Sequence, residues 1–200
     1  MLTVVGIGPG ATEFLTFQAR AEIDEAQILV GGARQLALFN DFRGETRLLT
    51  GDLDELMAWI RERLNQQIVV LASGDPLIYG IGKRLAADFP MEHLRIIPGI
   101  SSIQYLCAKA AVDMNDIWIT SSHGREPDFQ AIAAHQKVAM VTDRIIGPYA
   151  IAQALLARGL NPTLIIGENL SSTEERIHRL AACDVAQNYG MNVVIILNER

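Results

Sequence analysis

The chain is predicted to be an α/β protein with a largely parallel sheet, and three observations carry that prediction. Short apolar, β-branched runs alternate with longer amphipathic segments along the whole sequence. Several runs, such as Ile68 to Ala72 and Val193 to Leu197, are continuous, as strands covered on both faces require. Gly and Pro gather where runs end, in GIGPG, SGDP and IPGIS.

The predicted strands are Thr3–Gly8, Ile28–Val30, Ile68–Ser73, Arg95–Ile97, Ile117–Ser121, Lys137–Val141, Thr163–Gly167 and Val193–Leu197. Helices are predicted between them. Thr16 to Ala26 places Ala19, Ile23 and Ala26 on one face. Asp52 to Leu64 has an acidic first turn, which suits the helix dipole. Leu77 to Phe89 stops at Pro90. Ser101 to Val112, Pro148 to Arg158 and Thr173 to Ala182 complete the set. Gly159 follows the fifth of these as a C-cap glycine. A domain boundary is placed at Asp113–Asp116, where helical pattern gives way to polar residues, giving domains 1–113 and 114–200.

Half of the 200 residues are hydrophobic and a fifth are charged, so the chain can bury a core without metal or disulfide staples. The formal charge of −6 argues against general nucleic-acid binding. No apolar run approaches the roughly 18–20 residues of a membrane span. MLTVVGIGPG lacks a basic region and reads as a buried strand entering a turn, not as a signal peptide. Cys107 and Cys183 stand far apart without CxxC spacing, and His93, His123, His135 and His178 are scattered. Neither a disulfide framework nor a protein-bound metal is expected, and a reducing cytoplasm is the natural compartment.

Ligands of open α/β sheets collect beyond the carboxyl ends of strands, so three Gly/Pro loops in one half predict one site. The loop Gly6-Ile7-Gly8-Pro9-Gly10-Ala11 approaches the GxGxxG/A fingerprint. Pro9 removes a donor from it, and the second strand ends in Gly31-Gly32 where an acidic ribose ligand belongs, so a dinucleotide site is disfavoured. In Ser73-Gly74-Asp75-Pro76, Asp75 could cap a helix opened by Pro76. Capping leaves Gly74 and Gly80 unexplained, which favours a ligand loop. Pro98-Gly99-Ile100-Ser101-Ser102 offers two hydroxyls, one for a helix cap and one for a ligand. Later, Ser121-Ser122-His123-Gly124-Arg125 delivers an imidazole and a guanidinium to a strand end. Glu174 and Glu175 are explained by a helix dipole alone.

No GxSxG, nucleophile–base pair or telling carboxylate pair occurs. Gly80-Ile81-Gly82-Lys83 comes nearest to a phosphate loop, but Arg84 stands where a hydroxyl is required. Such an absence suits chemistry carried by a cofactor that the protein positions.

Taken in order and register, VGIGPG, SGDPLIYG and IPGISS resemble the tetrapyrrole methylases, the S-adenosylmethionine enzymes of sirohaem and cobalamin synthesis. The match spans essentially the whole chain. GGARQL at 31–36, SSHGR at 121–125, VTD at 141–143 and ENLSSTEER at 168–176 are similar to one branch, which methylates the C5 meso carbon of cobalt-precorrin-7. The chain length leaves no room for the C15-methylating, decarboxylating module of the fused aerobic enzyme, so a stand-alone enzyme of the anaerobic route is expected.

The resemblance implies two α/β domains with S-adenosyl-L-methionine in the cleft between them. It assigns Pro9, Ser73, Gly74, Asp75, Ser101 and Ser102 to the cofactor loops, with Val141 and Leu170 lining the cofactor from the second domain. Ala33 departs from the Lys common in this branch, and Gly147 from its Thr or Ser. In-line transfer from a sulfonium needs mainly alignment. The substrate's carboxylates need local cations, and Arg125, Arg34 and Arg144 are the candidates, with His123 and Arg125 the candidates for a catalytic part. Other implied features are a homodimer, a cytoplasmic location and transient contact with a separate C15-methylating decarboxylase. Another ring position, or cobalt-free precorrin-7 as acceptor, stays open.

Overall fold

The computed structural model describes residues 1–198, and the chain divides into two compact units, Met1–Ser101 and Ser102–Arg200. The division falls before the predicted boundary at 113/114, because the helix Ser102–Lys109 packs on strands of the second unit.

In the first unit the strands are β1 (Leu2–Gly6), β2 (Ile28–Gly31), β3 (Glu45–Leu48), β4 (Ile68–Ala72) and β5 (Leu94–Ile97). They form a five-stranded, wholly parallel sheet in the order β3-β2-β4-β1-β5. Helices α1 (Phe17–Asp24), α2 (Ala33–Leu36), α3 (Leu53–Arg61) and α4 (Gly82–Asp88) lie between strands. Leu2, Val4, Val30 and Val70 pack on Leu56, Met57 and Ile60 of α3 and Leu85 of α4. Val5, Leu29, Val69 and Leu71 pack on Ala19 and Ile23 of α1. Neighbouring residues of one strand thus enter different cores, which is why the strands read as unbroken apolar runs. Thr16 caps α1 by accepting the Ala19 N–H at 3.1 Å, and Asp52 caps α3 by accepting that of Glu55 at 3.0 Å, each contributing about 1 kcal/mol.

The second unit holds α5 (Ser102–Lys109), β6 (Trp118–Ser121), α6 (Phe129–Ala134), β7 (Lys137–Val141), α7 (Pro148–Leu156), β8 (Thr163–Glu168), β9 (Arg176–Ala181) and β10 (Asn192–Leu197). Its sheet runs β6-β7-β10-β8-β9 and is mixed. Only β6 and β7 pair in parallel; β10 runs antiparallel to β7 and β8, and β9 antiparallel to β8. One face buries Met140, Ile166 and Val194 against Ile132 of α6 and Ile151 and Leu155 of α7. Gly159 ends α7 with φ +75, and the Leu160 N–H returns to the Leu155 carbonyl at 3.1 Å.

Three expectations are corrected. The helix predicted over 173–182 is strand β9, whose six residues pair in register with β8. Cross-strand hydrogen bonding overrides the helix-forming Glu, Arg, Leu and Ala there. The helix predicted from Leu77 begins at Gly82, and residues 75–81 form an irregular loop instead. Asp75 is therefore not its cap. The second sheet is not parallel, because β8, β9 and β10 are joined without crossover helices.

Candidate functional site

In the first unit β1 lies between β4 and β5, so the loops that follow these three strands emerge side by side. Their backbones touch. The Ile7 N–H donates to the Ala72 carbonyl at 2.9 Å. Gly8 and Gly74 exchange both bonds, Gly8 N–H to Gly74 O at 3.3 Å and Gly74 N–H to Gly8 O at 2.8 Å. A Cβ on Gly6 would lie 2.4 Å from the Gly99 nitrogen, and one on Gly99 would lie 2.3 Å from the Gly74 oxygen. Real atoms cannot approach so closely, so glycine at 6 and 99 is dictated by the contact between loops.

Asp75 locks the arrangement. Its Oδ1 accepts the Leu77 N–H at 2.8 Å and its Oδ2 accepts the Gly99 N–H at 3.2 Å. Both oxygens of the residue expected to grip the cofactor thus already serve the loop backbone. Ser73 is exposed and accepts a hydrogen bond from Gln35 Nε2 at 2.9 Å, while Gln35 Oε1 accepts the Gly32 N–H at 2.7 Å. Gln35 is a residue the motif reading missed. Its position three residues after Gly32 at a helix start is the capping-box spacing that could have revealed it. Pro9 is half-buried and Ser101 buried, at the ends of the first and third loops. Arg34 lies exposed on α2.

The residues following β1, β4 and β5 (7–16, 73–81 and 98–101) contain no Lys, Arg or His and carry only Glu13 and Asp75 as charges. Hydroxyls, carbonyls and a slight negative balance suit a cationic, hydroxyl-bearing ligand. Leu77, Tyr79 and Ile100 add exposed apolar surface.

In the second unit the parallel pair β6 and β7 supplies two adjacent loops. The Ser122 N–H donates to the Val141 carbonyl at 2.9 Å, and Ser122 Oγ donates to the Ile146 carbonyl at 2.8 Å. Asp143 closes the other side. Its Oδ1 accepts the Ile145 and Ile146 N–H groups, both at 2.8 Å, and its Oδ2 accepts the Gly124 N–H at 3.3 Å. The Ile146 N–H holds the Asp143 carboxyl below the usual range; burial opposes, and the Ile145 and Gly124 amides and nearby His123 add to the lowering. His123, Arg125 and Arg144 are exposed on these two loops, so the structure brings three of the predicted cationic residues onto neighbouring segments.

Leu170 follows β8 and is only 6 % exposed. A Cβ on Gly167 would meet the Leu170 Cδ2 at 2.8 Å and the Leu106 Cδ1 at 2.9 Å, so the Leu170 side chain belongs to the packing over α5. Its neighbours Asn169 and Ser171 adopt left-handed φ of 48° and 61°. Glu175 pins this loop, accepting the Ser171 N–H at 2.6 Å and pairing with Lys109 at 3.1 Å. Burial pushes the Glu175 carboxyl up, but Ser171, Tyr105 and Lys109 together bring it below the usual range. A polar cavity of about 420 Å³ in the second unit is lined by Glu168, Asn169, Thr173, Glu174, Glu175 and Arg176. Among the described residues no group of His, Cys, Asp or Glu could hold a metal ion, and no helix is long and apolar enough to cross a membrane.

A parallel α/β sheet with three glycine-sealed loops at adjacent carboxyl ends is the arrangement in which open α/β proteins place a ligand site. The family model of the tetrapyrrole (corrin/porphyrin) methylases matches residues 1–185, and the chain belongs to that family of methyltransferases. It is 55% identical, over the full length of both chains, to the cobalt-precorrin-7 C(5)-methyltransferase of Salmonella typhimurium. It is 30% identical to the precorrin-6Y C(5,15)-methyltransferase (decarboxylating) of a Sinorhizobium species, covering 98% of this chain and 48% of that one. The same fold occurs in the uroporphyrin-III C-methyl transferase of Thermus thermophilus, solved with S-adenosyl homocysteine. The TM-score is 0.78 and the identity 22%, over 98% of this chain and 96% of the other.

Proposed function

We propose that the chain transfers a methyl group from S-adenosyl-L-methionine to the C5 meso carbon of cobalt-precorrin-7, in the anaerobic route of cobalamin synthesis. The full-length 55% identity to an enzyme of that name is the observation that carries the substrate. The three sealed loops without cations support the cofactor. When bound, that cofactor supplies an electrophilic methyl on a sulfonium.

The chain's own task is then to bind and align. Ser73, Gly74, Ser101 and Ser102, with Pro9 beside them, offer hydroxyls and backbone to the cofactor, and Asp75 fixes the loops that present them. In the second unit Val141 and the backbone at Leu170 are the proposed contacts. Arg125, Arg34 and Arg144 would receive the carboxylates of the tetrapyrrole, with no group assigned as an essential base. A homodimer in the cytoplasm belongs to the same reading, as does transient contact with a separate C15-methylating decarboxylase. The fused Sinorhizobium relative supports the last of these.

The test is mass spectrometry of the purified protein incubated with S-adenosylmethionine and cobalt-precorrin-7, with cobalt-free precorrin-7 alongside. One methyl gained by the cobalt form at C5 is the expected result. Methylation of another ring position, or of the cobalt-free acceptor alone, overturns the choice of substrate. Sedimentation of the purified protein tests the dimer.

A further inference from the structure

Among the described residues Asp143 makes no contact with another charged side chain at hydrogen-bond distance, yet its two oxygens accept backbone N–H groups of two segments. One is its own turn, which carries Arg144. The other is the loop after β6, which carries His123 and Arg125 on either side of Gly124. Gly124 has φ +67 and open space where a Cβ would be, so hydrogen bonds and not crowding fix this turn: the Arg125 N–H to the Ser122 carbonyl, the His123 N–H to Ser121 Oγ and the tie to Asp143. Ser122 adds a second tie from the same loop, to the Ile146 carbonyl. The Ser122 N–H bond to the Val141 carbonyl joins the two segments where they leave the sheet, and these side-chain ties extend the junction outward to Gly124.

We infer that Asp143 is a positioning residue for substrate: by clamping the 121–125 loop to the 143–146 turn, it holds His123, Arg125 and Arg144 as one carboxylate-binding rim. The inference rests on the proposed tetrapyrrole substrate for its biological meaning, but its chemistry is more general. Arg125 and Arg144 bind carboxylates well only if the backbone beneath them is fixed, because an ordered fork loses less freedom on binding. Asp143 also offsets part of the mutual repulsion of Arg125 and Arg144, so they can remain close before any ligand arrives.

The discriminating variant is Asp143→Asn. The amide keeps one oxygen for Ile145 and Ile146 but turns a donor toward the Gly124 N–H, so the turn survives and the clamp opens. The probe is uroporphyrin III, a tetrapyrrole rich in carboxylates, titrated by absorbance alongside calorimetric binding of S-adenosylhomocysteine. D143N is expected to weaken the porphyrin roughly tenfold, with S-adenosylhomocysteine affinity within about twofold of the wild type. S122A, which breaks the second tie, is expected to weaken the porphyrin by about threefold. In an R125M background D143N should cost clearly less than in the wild type, because the share of the clamp that acts through Arg125 is already gone and only His123 and Arg144 remain to be misplaced. Unchanged porphyrin affinity in D143N, or a loss fully independent of R125M, overturns the inference. If D143N fails to fold, S122A and the S122A/R125M pair decide the same question. A wild type that binds porphyrin, responds to D143N as stated and yet methylates no cobalt-precorrin-7 would overturn the functional reading and support the clamp.

Discussion

The Asp75 carboxylate accepts the Gly99 N–H at 3.2 Å, and through that bond the loop after β4 holds the loop after β5. The same carboxylate turns its own loop through the Leu77 N–H. Asp143 repeats the device in the second unit, again with a glycine N–H on the neighbouring loop. In each unit an aspartate beyond a strand end thus ties its own loop to the neighbouring one through backbone N–H groups. Charge-assisted bonds to N–H groups suit that role, since they constrain the chain without filling the site.

Replacing Asp75 should therefore act on stability and cofactor binding together. Asp75→Ala is expected to cost about 1–2 kcal/mol, the lower part of the range for charge-assisted bonds because the site is partly exposed. Affinity for S-adenosylhomocysteine should fall by roughly tenfold as the loops loosen. Thermal unfolding and calorimetric titration measure the two. An unchanged melting temperature with lost affinity would mean that Asp75 grips the ligand directly and that its loop bonds contribute nothing.

Gly99→Ala drives a methyl to within 2.3 Å of the Gly74 oxygen, in a place where only backbone could yield. A loss of about 2–4 kcal/mol is expected, with S-adenosylhomocysteine binding abolished. Gly51→Ala is the control, since a Cβ there meets nothing within 4 Å. Denaturant titration of both variants checks the contrast. Equal stabilities would show that the three loops are free to part.

How far the sequence reveals this arrangement depends on the range of the interactions. Each predicted strand forms, because a strand buried on both faces writes its burial into every residue. Strand β3 is missed, since Glu45, Thr46 and Leu48 are exposed on an edge. Strand β9 is misread as a helix for a related reason. It is an edge strand whose Arg176, Ile177 and Arg179 are exposed, while His178 and Leu180 turn inward, too short an alternation to register. The glycine loops are legible because only glycine permits such approach. What Asp75 does is not legible, since its partner Gly99 lies 24 residues away and the bond is made by the fold. Asp143 is hidden likewise, and so is the bond from Gln35 to Ser73, 38 residues away, although the spacing of Gln35 from Gly32 is readable.

Leu170 offers a test that separates packing from ligand contact. Its side chain lies over Gly167 and Leu106, so Leu170→Ala should open a cavity and cost about 2–4 kcal/mol. Leu170→Met keeps the volume and should cost less than about 1.5 kcal/mol. If only the backbone at 170 faces the cofactor, Leu170→Met should leave S-adenosylhomocysteine affinity within about twofold of the wild type. A tenfold loss in that variant, at near-native stability, would place the side chain itself against the ligand.

Acid should unfold the second unit through a small set of carboxylates. The Gly190 N–H, at 2.6 Å, holds the Glu168 carboxyl below its usual range, with burial opposing and His178 at 3.2 Å assisting. Asp143 and Asp113 are also lowered, the first by backbone amides, Ile146 foremost, and the second mainly by Lys137. Each folded-state value lies below the unfolded one. The stabilisation is therefore complete above the ordinary carboxylate range, about pH 4, and is lost as pH falls through the folded values. Melting temperature should be level from neutral pH down to about pH 5 and drop steeply below about pH 4. Glu168→Gln keeps an acceptor but removes the charge, so it should lower stability at pH 7 by about 1 kcal/mol. That deficit must shrink as the wild-type carboxyl protonates. Thermal melts of the wild type and Glu168→Gln at pH 7, 5, 4 and 3 measure the gap, and a gap of constant size down to pH 3 would show that the charge on Glu168 does not stabilise the fold.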